Sequence, residues 1–140
     1  METEFINALT KLASFTYAAQ LSHFNVTGDA GEFYSLHLLF GRIYEMASAH
    51  IDPLAEQARG SKIEIPAKMF HDVPEIEWEN GKELAEKLCD VAEEVCEAMD
   101  KLHEKCDEEG EYGILNLIES AMTDLRSIKY LLGSSCGKLG

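Results

Sequence analysis

Apolar residues recur along this chain at helical spacing in four long blocks and alternate at strand spacing nowhere, which predicts an all-α fold. The first block, from about Thr3 to about Phe24, sets Phe5, Leu9, Leu12 and Ala19 on one face, and Gly28 and Gly31 open the loop that follows. The second begins near Glu32, carries Leu36, Phe40, Ile43, Ala47, His50 and Leu54 as a core stripe, and stops at Gly60. Between Ser61 and Trp78, Pro66 and Pro74 favour a crossover with a short helical turn around Lys68 to Asp72. Asn80 followed by Glu83 is a capping-box signal for the third helix, in which Leu84, Leu88, Val91, Val95, Met99 and Leu102 step by three or four until Gly110. The fourth, from about Tyr112 to Leu132, shows Ile114, Ile118, Ala121, Leu125, Ile128 and Leu132, and Gly133 closes it. The expectation is a four-helix bundle with one long crossover between the second and third helices.

At 140 residues and 46% hydrophobic, residues 1–140 read as a single domain able to bury a core without disulfides or a structural metal. Twelve basic against twenty-six acidic residues give a net charge of −14. That balance argues against a broad electrostatic grip on nucleic acid or an anionic membrane, and suits the attraction of cations. No apolar run approaches the roughly 20 residues of a membrane span. Met1-Glu2-Thr3-Glu4 is acidic where a secretory signal would be basic, so the chain reads as cytoplasmic. Cys89, Cys96, Cys106 and Cys136 show no C-x-x-C spacing and read as reduced, buried or half-buried thiols rather than a zinc site.

The second helix carries a second stripe beside its core stripe: His37, Gly41, Tyr44 or Glu45, Ser48, Asp52 and Glu56. Ligand-type residues are separated there largely by small ones, which allow helix backbones to approach closely, and imidazole with carboxylates suits iron or manganese in a bundle. Fifteen helical residues separate His37 from Asp52, roughly 22 Å of axis, so one ion cannot bridge them within a chain. Fifteen steps of about 100° leave an offset of only about 60°. An antiparallel, two-fold related copy of the helix would therefore set His37 of one chain against Asp52 and Glu56 of the other. His23, at the end of the first helix, is placed to lean toward His37.

At these residues the chain resembles the Dps mini-ferritins. The resemblance lies in Leu21-Ser22-His23-Phe24-Asn25-Val26-Thr27-Gly28, in Phe33, Leu36-His37, Phe40 and Tyr44, and in His50-Ile51-Asp52 with Leu54-Ala55-Glu56 and Arg59-Gly60. Asp124-Leu125 with Lys129 and Leu131 also resembles that family's C-terminal pattern. The resemblance implies a ferritin-like bundle assembled as a spherical dodecamer, which oxidises ferrous iron with hydrogen peroxide and stores the ferric mineral inside. It implies a ferroxidase centre between two-fold related subunits, with His23 and His37 as ligands from one subunit and Asp52 and Glu56 from its neighbour. Iron is thus the expected metal, and a homo-oligomer joined through its second helices the expected assembly.

Several positions depart from the family's pattern. Four residues after His37, where the family usually has a ligand aspartate, stands Gly41, so a ligand is missing and the site is expected to be weakened. Glu45 lies a further turn along and would reach only from a distorted helix. Phe24 replaces the usual tryptophan and has no indole N–H. The loop between His23 and His37 is about two residues longer than usual, and Pro53 directly follows a proposed ligand. A lysine-rich N-terminal arm is absent, so direct DNA binding is not expected.

Each candidate also has an ordinary structural reading. Asp52 before Pro53 reads as an N-cap with proline at the first helical position, which would break the second helix there. Glu56 reads as a solvated carboxylate pairing with Arg59, His37 as a hydrogen-bonded structural histidine, and Gly41 as a close contact between helices across the symmetry axis. His50, His71 and His103 read as structural or surface residues. The acidic run Asp107, Glu108, Glu109 and Glu111 reads as a route for cations or as a solvated turn. A catalytically inactive oligomer acting through its surface is the alternative function, and a monomeric domain binding a protein partner a third.

Overall fold

A computed structural model describes residues 1–70 and 81–138, folded as helices α1 (Glu2–Asn25), α2 (Ala30–Ser48), α3 (Ile51–Gly60), α4 (Gly81–Glu108) and α5 (Tyr112–Ser135). A 3-10 turn, Ala67–Phe70, lies in the crossover where a turn around Lys68 is expected. Asn80, His71 and Pro74 lie outside the described residues.

α1 packs on α2 and α4, α4 packs on α5, and both α2 and α3 contact α1 and α5, so α2 and α3 together form one side of a four-helix bundle. The expected stripes meet along its axis. Phe5, Leu9, Leu12 and Ala19 of α1 are buried, with Leu36, Phe40, Ile43 and Ala47 of α2 and Leu54 of α3. Leu84, Leu88, Val95, Met99 and Leu102 of α4 and all six expected positions of α5 complete the core. Val91 is half-buried against it.

The second helix is not continuous. Pro53 has no N–H to return to the Ala49 carbonyl, and its ring crowds that carbonyl, so the helix opens one turn earlier. Around the break the hydrogen bonds shorten in register or lengthen: the His50 amide bonds to Ala47 O at 3.2 Å and the Leu54 amide to His50 O at 3.4 Å. Ala49 (φ −61°, ψ −20°) and His50 (φ −95°, ψ −10°) keep right-handed dihedrals. The result is a kink that lets both halves follow the same side of the bundle. The N-cap of α3 is His50, not Asp52, and Asp52 and Pro53 lie inside its first turn.

The helix ends have separate physical causes. α4 closes through Gly110, whose φ of 72° is open to glycine at little cost, with the Glu111 amide reaching Cys106 O at 2.9 Å. α3 ends at Gly60, but the left-handed residue is Lys62 (φ 64°), and the Ile63 amide bonds to Ala58 O at 2.9 Å.

Candidate metal centre

His23 sits in the last turn of α1, where backbone carbonyls lack intrahelical partners. His37 stands opposite on α2 and its Nδ1 donates to His23 O at 2.7 Å. The bond is reciprocated, with His23 Nδ1 donating to His37 O at 2.6 Å. A carbonyl oxygen only accepts, so each Nδ1 carries the hydrogen. In the neutral ring this leaves Nε2 with its lone pair, the form in which imidazole binds metals, and a carbonyl on the other nitrogen is the usual means of holding such a ring in orientation.

The two imidazoles are stacked, centroids 3.9 Å apart and planes 16° from parallel. Phe33 stacks on His37 at 5.4 Å and Phe24 tilts against His23 at 5.6 Å, giving a run of four rings across the end of the α1–α2 pair. Phe24 thus keeps the packing role of an aromatic there. Beside the histidines an open cleft of about 410 Å³ is lined by Gly41, Leu38, Gln20, Arg42, Tyr44 and Glu45 along with His23 and Phe24. Two of its apolar walls reach water, Phe24 at 64% exposure and Leu38 at 51%, and on the same two helices Tyr34, Phe33 and Leu21 are exposed as well.

Asp52 and Glu56 are exposed on α3 one helical turn apart, on the same face. The fold brings His23 and His37 together and does not bring Asp52 or Glu56 to them: among the described residues no three His, Cys, Asp or Glu side chains converge on a metal position. Glu45 shares the cleft with His23 without completing such a group. The expected pairing of Glu56 with Arg59 is not formed among the described residues. Arg59 donates instead to Ile63 O at 3.2 Å, across the end of α3.

His50 is not a core residue but a clamp. Its Nε2 meets Asp124 Oδ2 at 2.6 Å, tying the kink to α5. A single sequence holds no signal for that partner, because the pair is separated by 74 positions. His103 pairs with Glu119 at 2.9 Å on the surface. The acidic turn, Asp107 to Glu111, is exposed, and Lys105 meets Glu108 at 3.5 Å. All four cysteines are free, and loss of hydration on burial pushes the thiols of Cys89, Cys96 and Cys106 up from their ordinary value.

No helix among the described residues is long and apolar enough to cross a membrane. No curated protein matches the chain in sequence. A ferritin-like domain family model matches residues 6–139. Among solved structures, the chain is similar to Dps from Thermosynechococcus elongatus, with a TM-score of 0.85 at 20% identity over 95% of this chain and 87% of that one. Dps from Listeria monocytogenes gives 0.83 at 17% identity, covering 97% and 93%. Dps from Staphylococcus aureus gives 0.83 at 16% identity, covering 96% and 93%. At these identities the likeness is one of fold. With the family model spanning nearly its whole length, the chain belongs to the ferritin-like family and carries the fold of the Dps proteins.

Proposed function

We propose that this chain binds, oxidises and stores iron as a homo-oligomer, at sites that two copies share. His23 and His37 come from one subunit, and Asp52 and Glu56 of the partner subunit complete the set. The observation that carries the reading is the paired imidazole clamp: both Nδ1 atoms are held by carbonyls, which leaves the Nε2 of each of two stacked rings as its ligand atom. The exposed Phe24, Phe33 and Leu38 beside the imidazoles and their cleft support a partner seated there. The axial separation of His37 from Asp52 and Glu56 supports a partner related by a two-fold axis.

Iron enters this scheme as substrate. Neutral imidazoles suit ferrous iron, and added carboxylates favour the ferric state through their charge. Each ferrous ion gives up one electron, and peroxide or dioxygen accepts them. The net charge of −14 favours cation uptake and retention of the product, in a shell that we take to be dodecameric. The same charge disfavours direct contact with DNA. Gly41 adds no charge to the site, so oxidation is slower than a complete carboxylate set would allow.

The alternative is an assembly of the same fold whose site is silent. It is favoured by Gly41 and by the exposed, unengaged positions of Asp52 and Glu56. Anaerobic ferrous titration of the assembled protein, followed by peroxide or oxygen and read by ferric absorbance, separates the two. The expected result is oxidation at least about tenfold faster than in a His37→Ala, Asp52→Ala double variant. Equal rates would overturn the ferroxidase reading in favour of the silent assembly.

A further inference from the structure

By sequence, Gly41 is a ligand lost; by packing, it is the floor under a ligand. A Cβ added at Gly41 would lie 2.9 Å from both Cε1 and Nδ1 of His23 and 3.6 Å from its Nε2. The first two distances are shorter than non-bonded atoms tolerate. The atoms met belong to an imidazole and not to backbone, so the ring would move and the helix would not. The edge that would be displaced is the one that makes the 2.6 Å bond to His37 O.

We infer that Gly41 is a positioning residue for His23. Without a side chain there, the imidazole packs against α2 at Gly41, reaches the His37 carbonyl, and is fixed as the Nδ1–H tautomer. The stack on His37 involves the same ring, with centroids 3.9 Å apart, so a shift of His23 changes both contacts together. The inference rests on the reading that His23 and His37 bind a metal, and it changes what Gly41 means for that site. Returning an aspartate at this position would not repair the site by addition. Its Cβ alone requires the His23 ring to shift, so the added carboxylate would arrive with the seat of the nitrogen ligand disturbed. This half of the proposed site then offers two imidazole nitrogens, with Glu45 the carboxylate that shares the cleft with His23.

Cobalt(II) binding to the assembled protein, followed by its visible absorption, tests the inference without relying on oxidation. Alanine favours helix more than glycine, so Gly41→Ala retains the fold. The expected result is a loss of cobalt affinity of at least about tenfold in Gly41→Ala, similar to His23→Ala. In the double variant Gly41→Ala, His23→Ala the affinity should match His23→Ala within about twofold, because the glycine acts only through that ring. Multiplying losses would overturn the inference, as would an affinity gain in Gly41→Asp. A crystal structure of metal-free Gly41→Ala gives the second readout: the His23 ring should leave α2 and its bond to His37 O should be gone, and an unmoved ring would refute the positioning role. Should the wild-type protein bind no cobalt, the metal reading fails, and this structure alone decides whether Gly41 seats His23.

Discussion

The two helix pairs of the bundle are finished to different degrees. On α4–α5, the apolar side chains turn inward, and among large hydrophobics only Tyr112 and Tyr130 of this pair are exposed. Its outer surface is laced by ion pairs between the helices or onto the chain end, Lys129 with Glu93, Lys138 with Asp90 at 2.8 Å and His103 with Glu119. Such exposed pairs contribute little to stability, but they mark a surface built for water. The α1–α2 pair, which carries the two imidazoles, leaves Leu21, Phe24, Phe33, Tyr34 and Leu38 exposed. The stacked imidazoles of His23 and His37 therefore lie on the helix pair that keeps large apolar side chains in water. One pair of helices keeps its large apolar side chains almost wholly inside, and the other leaves five of them in water.

Truncation separates those two roles most sharply. Phe40 is fully buried and Phe24 is 64% exposed. Phe40→Ala should cost roughly 3–5 kcal/mol in chemical denaturation, through lost transfer energy and the cavity left behind. Phe24→Ala should change monomer stability by no more than about 0.5 kcal/mol while weakening self-association in sedimentation. Comparable losses of folding stability in both would erase the distinction between core and docking face.

The next effect in size concerns the joint between α3 and α5. Removing Asp124 as alanine should cost about 1 kcal/mol, since the pair with His50 is short but the carboxylate is partly in water. A double-mutant cycle with His50→Ala should recover most of that as coupling, and strict additivity would show that the clamp is not energetic.

The smallest effect is the pH response of the α4 thiols. Desolvation raises Cys89, Cys96 and Cys106, so the folded chain keeps protons that the unfolded chain releases. Stability is then untouched by these groups below the ordinary thiol range and falls as pH climbs through it toward the raised values. Urea midpoints that stay level or rise across that alkaline window in a cysteine-containing chain, relative to one with the three replaced by alanine, would contradict the assignment.

The bundle itself was legible because its signal is local. A stripe such as Ile114, Ile118, Ala121, Leu125, Ile128 and Leu132 records which face is dry, and every member of it is buried. The ferritin-like family was legible in the spaced histidines and acids, and the family match bears that out. Proline was harder to weigh. Pro53 could be seen to threaten the second helix, but the break moved to Ala49 and His50, because the ring acts on the carbonyl four residues back.

Sequence alone determined four amphipathic helices, and it separated His37 from Asp52 and Glu56 by more axis than an ion can span, since rise per residue is a property of the backbone. Tertiary structure decided what those residues face. The mutual carbonyl clamp of His23 and His37, the seat that Gly41 provides and the hold of Asp124 on His50 each join atoms from different helices. Such contacts depend on how the helices are set against one another, and periodicity along one helix carries no record of that.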